Sequence, residues 1–88
     1  MGDLLVKGAD VHDGRITRLR VAIERLPERV IDRALALRLL ADGHSLIPFD
    51  GHRMAALQRV VVGEDEAFIR NDNEPVSADA VPPLPPAG

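Results

Sequence analysis

Cysteine is missing from the chain, which rules out a disulfide framework and any thiolate metal site. Tryptophan and tyrosine are missing too, and two phenylalanines are the only aromatics among 88 residues. The core must therefore be built from aliphatic side chains, and no aromatic interleaves with the basic residues to stack nucleic-acid bases. The longest apolar runs fall far short of the roughly 20 residues of a membrane helix. The opening residues, MGDLLVKGADVHDG, have neither the basic start nor the apolar block of a signal peptide. A cytoplasmic protein with no membrane partner is the expectation. The glycines fit neither G-x-G-x-x-G nor G-x-x-x-x-G-K-[ST], so no cofactor is implied.

Such a short chain makes one domain, and one that buries a small fraction of its surface. Small domains poor in bulky side chains often gain stability by association, so a homo-oligomer or a protein partner is expected. Ten arginines against one lysine, with abundant Ala, Val and Leu, is the signature of a GC-rich bacterial coding bias.

What is present centres on residues 14–43. Ile16, Leu19, Ile23, Leu26, Val30, Ala34, Leu37 and Ala41 recur every three or four positions, the period of one helical face. Pro27 interrupts the row. It either kinks one helix or divides two, and its fitness for a first helical turn favours two, over 14–26 and 27–42. Asp13 is a suitable N-cap for the first and Gly43 a suitable stop for the second. Ile31, Leu35 and Leu39 add an offset aliphatic row, with Leu40 between the two. The second helix is thus apolar on more than one side.

Around this arm the signals are weaker. Leu4, Leu5 and Val6 suggest an edge strand, and Leu46, Ile47 and Phe49 a brief strand before the turn dipeptide Asp50-Gly51. Val60, Val61 and Val62, a polar turn at 63–66 and a second apolar run at 67–71 predict a β-hairpin over 57–71. From Asn71 onward five prolines and few large apolar residues predict a flexible acidic tail, too poor in apolar surface to order. Within it a P-x-x-P pattern at 82–86 reads as a polyproline ligand or, more simply, a solvated terminus. The expectation is an α+β helix–helix–β-hairpin domain over 1–73, with a two- or three-stranded antiparallel sheet, and a disordered tail over 74–88.

Three functional readings follow. The first is a non-enzymatic interaction or assembly module that self-associates through Val30, Ile31, Ala34, Leu35, Leu37, Leu39 and Leu40, because two aliphatic rows exceed what one small sheet covers. The second is a nucleic-acid-binding regulator using a helix face of Arg15, Arg18, Arg25, Arg29 and Arg33, since guanidinium groups suit phosphates. Against it, Arg20–Glu24, Arg25–Glu28 and Arg29–Asp32 stand at helical spacing and would neutralise one another. Residues 63–88 carry a charge of −5 against +4 in the arm, so the tail could equally meet the arm of another subunit. The third reading is metal or general-base chemistry by His44, Asp50 and His52, with His12 apart from them. Their spacing matches no compact ligand motif, so no catalytic or metal residue is assigned.

Overall fold

Asp13 and Gly14 turn the chain sharply: both have positive φ, 51° and 74°. Two such residues form the tight hairpin turn whose twist matches that of flanking strands. In the computed structural model, which describes residues 3–23 and 26–88, this turn joins β1 (Asp3–His12) to an antiparallel β2 (Arg15–Ala22). β3 (Arg29–Asp32) pairs antiparallel with β2, and β4 (Ser45–Pro48) runs parallel to β1. The sheet order is β3-β2-β1-β4. One helix, α1 (Arg33–Ala41), crosses from the first edge strand to the other. A separate antiparallel hairpin, β5 (Gln58–Val62) with β6 (Glu66–Arg70), packs on the helix.

The helix is short because both ends are closed by local bonds. Asp32 caps it, its carboxylate accepting the Leu35 N–H at 2.8 Å. At the other end the N–H groups of Gly43 and His44 donate to Leu40 and Leu39 carbonyls, with Gly43 at φ 93°. That paired pattern ends a helix and needs the left-handed conformation glycine adopts freely.

The register separates the faces of the four-stranded sheet. Residues directly opposite on neighbouring strands share a face, so Leu4, Leu46, Val6, Pro48, Val21, Leu19 and Ile31 point to the helix side. With Ile16, Ala36, Leu57 and Ile69 they make the core, and Leu37, Leu39 and Leu40 pack against it. The outer face carries Leu5, Ala22, Ile47, Gly8, Arg20, Val30, Asp10 and Arg18.

The helix–helix–hairpin expectation is overturned: residues 15–22 are a strand, and Pro27 belongs to the connection between β2 and β3. The cause is a bulge. Asp10 pairs with Arg18 but Val11 with Ile16, leaving Thr17 as an extra residue. An extra residue turns the strand spacing of two into three, so Ile16 and Leu19 share the inner face at a helical interval. Glu24 and Arg25, with the ion pairs expected of them, lie outside the described residues. The expected edge strand at 4–6 is instead the interior strand β1. The strand expected at 45–49 pairs with β1 and is bridged, at Leu46, to Leu57 just before the hairpin.

The disordered tail is corrected too. Residues after β6 run back over the molecule. Ala80 exchanges hydrogen bonds with Ile69 and Asn71, Val81 and Leu84 pack against the core, and Ala87 is fully buried. Composition alone missed this because the tail orders on a surface the rest of the chain supplies.

Candidate functional site

Two features organise the functional surface: a buried ionic clasp that fixes the tail, and the outer face of the sheet that the tail half covers.

The clasp is Asp79. Its side chain is 1% exposed and receives three elements at once. The N–H groups of Ile16 on β2 and Ile69 on β6 donate at 2.7 and 2.9 Å, and Arg33 at the start of α1 donates through Nε and Nη2 at 2.9 and 3.2 Å. Burial alone would push this carboxyl up. The Arg33 guanidinium and the two N–H donors outweigh it and hold Asp79 below the usual carboxylate range, while Asp79 raises Arg33 in turn. No buried side-chain polar atom among the described residues is left without a partner, so the clasp is complete as it stands. Its geometry is that of a structural pin.

Farther out, Arg70 grips Asp72 through Nε at 2.6 Å and Nη2 at 3.0 Å, and donates to the Ala78 carbonyl at 2.7 Å. The pairing lowers Asp72 and raises Arg70. Together Arg70 and Asp79 bracket the exposed turn at 73–77.

Beyond its covered half, the outer face opens into a groove of about 600 Å³. Leu5 of β1 and Ala22 of β2, paired across the ladder, line its floor, with Ile23, Leu26 and Phe49 as walls. Ile23 is 41% and Leu26 57% exposed. Lys7–Glu28 at 3.4 Å and Asp3–Arg53 at 3.1 Å form two ion pairs among the lining residues, so this rim carries two charges of each sign. These pairs are exposed and hold little energy by themselves; they set the rim's polarity.

The other half is covered by the tail. Gly8 and Arg20 are opposite each other on this face, yet Gly8 is buried. A β-carbon on Gly8 would lie 2.6 Å from the Pro86 carbonyl oxygen. The Ala9 N–H, on the stretch of β1 beyond its pairing with β4, donates to the Pro85 carbonyl at 2.8 Å. Asp10 accepts the Ala87 N–H at 2.9 Å, and Arg20 Nε donates to the Ala87 carbonyl at 2.8 Å. That N–H and the Arg18 guanidinium hold Asp10 below its ordinary value.

The residues singled out from the sequence fare unevenly. Ile31, Leu37, Leu39 and Leu40 are half-buried against the molecule's own core, while Val30, Ala34 and Leu35 are exposed. Val30 shares the outer face with Arg20, whereas Ala34 and Leu35 lie on the helix. The arginines form no helix face. Arg15 and Arg33 come together on the Phe68 ring at 5.5 and 5.6 Å, Arg18 pairs with Asp10, and Arg29 is exposed on β3; Arg25 lies outside the described residues. Arg15 also faces Glu66 at 3.8 Å. His44 adjoins the helix end, and Asp50 and His52 belong to the irregular segment after β4. No cluster of three metal-ligating side chains is found among the described residues.

The sequence reading passed over Asp79 and saw in Gly8 only a break in the apolar patch at 3–11. For Asp79 a signal existed: an isolated acid among small and apolar residues in an otherwise neutral stretch. For Gly8 the signal was a glycine inside a strand pattern, which marks a bulge or a close backbone approach; here it marks both. Compared with protein-family models, with curated proteins and with solved structures, the chain matches none. No helix among the described residues is long and apolar enough to cross a membrane.

Proposed function

We propose that this chain is a non-enzymatic protein-interaction module that self-associates through the open half of its outer sheet face. The observation that carries the reading is the groove between β1, β2 and Leu26, where large aliphatic side chains stay in water beside a rim of balanced charge. Removing apolar surface from water is the main drive of association, at about 25 cal/mol per Å². A rim holding Lys7, Arg53, Asp3 and Glu28 favours a second copy as the partner. Under two-fold symmetry the same patch meets itself, and equal numbers of both signs let opposite charges face one another. Val30 extends the apolar surface along the same face.

Compared with the reading from sequence, the surface moves from the helix to the sheet, because the helix already spends Leu37, Leu39 and Leu40 on its own core. The nucleic-acid reading gains no support from the arginines, three of which are engaged by carboxylates. The test is light scattering on the full chain over a concentration series. Leu26→Glu is expected to keep the parent's circular dichroism and lose its self-association. A parent that stays monomeric to millimolar concentration overturns the proposal.

A further inference from the structure

β1 outruns its neighbour. β4 accompanies it from Asp3 to Val6, with the Phe49 N–H reaching the Val6 carbonyl at 2.9 Å, and among the described residues no strand flanks Gly8–His12 on that side. A strand edge in that state offers its backbone N–H and C=O groups to any extended chain. Proteins blunt such edges with a covering loop, with proline or with bulges. All three meet here. Register shifts fall between Val6 and Gly8 and between Asp10 and Val11, and the tail closes the stretch between them, its Pro85 carbonyl accepting the Ala9 N–H at 2.8 Å. We infer that residues 82–87 are an edge guard: they hold the open flank of β1 in a form to which no further strand can add, and so keep the chain from polymerising through its sheet.

The chemistry of the segment suits that task. Four of the five residues 82–86 are proline, and proline has no N–H. The covering stretch can therefore accept from β1 but, Leu84 apart, has no backbone donor for a strand beyond it. Leu84 and Val81 pack against the core, so the guard is anchored from within. At its far end the segment leaves the edge and crosses onto the outer face. There the Pro86 carbonyl lies over Gly8, 2.6 Å from where a β-carbon would stand. The Ala87 N–H donates to Asp10 at 2.9 Å, and its carbonyl accepts from Arg20 Nε at 2.8 Å. A composition rich in proline and poor in donors, which from the sequence reads as disorder, is what this position needs. The guard is separate from the groove over Leu5 and Ala22 and does not depend on the association proposed there.

Gly8→Ala in the full chain tests it, with Leu26→Glu carried throughout so that the groove contributes nothing. The added methyl group displaces the Pro86 carbonyl, and the Ala9 amide hydrogen should exchange about tenfold or more faster than the parent's, as an opened backbone bond does. Held at high concentration, this variant should form thioflavin-binding, β-rich assemblies that dilution does not reverse, while the chain with Leu26→Glu alone stays dispersed. Adding Val11→Lys, at an exposed position of the same stretch, should restore dispersal and leave the Ala9 amide open, because an edge lysine deters strand addition. That lysine moves the net charge of −3 toward zero, which by itself favours precipitation, so the rescue belongs to the edge. Asp32→Ala, which weakens the helix with the tail in place, should stay dispersed. If Gly8→Ala leaves the amide protected or loses the parent's circular dichroism, Asp10→Ala with Arg20→Ala removes the Ala87 bonds instead and is read in the same way. An open Ala9 amide without assembly overturns the inference, as does an amide protected in both variants. Assembly that Val11→Lys does not relieve, or that Asp32→Ala shows to the same extent, overturns it too.

Discussion

Replacing Asp79 by alanine should come close to unfolding the protein. The substitution removes the acceptor for two backbone N–H groups and for the Arg33 guanidinium. Breaking a buried ion pair from one side costs about 3–5 kcal/mol, and each stranded backbone donor contributes about 1–3 kcal/mol of that kind. Arg33 is partly exposed and turns toward water, which limits the loss, so about 3–5 kcal/mol in total is expected. A chain of this size has roughly 4–13 kcal/mol to lose. At about 4–8 °C per kcal/mol, the melting temperature should fall by roughly 12–40 °C. Thermal melts followed by circular dichroism read this directly. Asp79→Asn keeps one acceptor but turns an amide toward Arg33, and should fall between parent and alanine. The pH dependence has a definite sign. Asp79 is depressed in the folded state, so its contribution is full above the unfolded carboxyl value near 3.9 and is lost as pH falls through the lower folded value. Asp79→Asn should therefore flatten the acid limb of stability below about pH 4. A melting temperature for Asp79→Ala within about 4 °C of the parent, less than 1 kcal/mol at this chain length, would show that the clasp holds nothing together.

Further outcomes concern other elements. Phe68, buried beneath two guanidinium groups, should cost about 3–5 kcal/mol on replacement by alanine, measured by urea unfolding. Asp32→Ala removes the helix cap and should destabilise by about 1 kcal/mol, with a matching loss of helical ellipticity on mild heating. Gly14→Ala has room for its methyl group but must hold a positive φ, so a loss of about 1 kcal/mol is expected, visible as a lower urea midpoint.

What the sequence made legible was local. The hairpin over 57–71 was readable because a valine run, a polar turn and a second apolar run sit at strand spacing, and β5 and β6 lie within it. The helix stop at Gly43 was readable because its chemistry involves neighbours alone. The misreading of β2 shows the limit of periodicity. A bulge at Thr17 gave Ile16 and Leu19 a helical interval, while the turn dipeptide Asp13-Gly14, taken as a helix start, was the stronger message. The candidate surface was less legible still. Leu5, Ala22, Ile23 and Leu26 become neighbours only through strand pairing, and the tail looked disordered because its partners, Gly8 and Asp10, stand nearly 80 positions earlier.

That separation bears on how the molecule is made. Asp79 meets Ile16 across 63 positions and Ala87 meets Asp10 across 77, so the bonds of β1 and β2 are complete only when a segment far along the chain has arrived. Contacts between such distant positions slow folding. Until then the nascent chain presents β1 with a bare margin, the kind of margin that recruits strands from other chains.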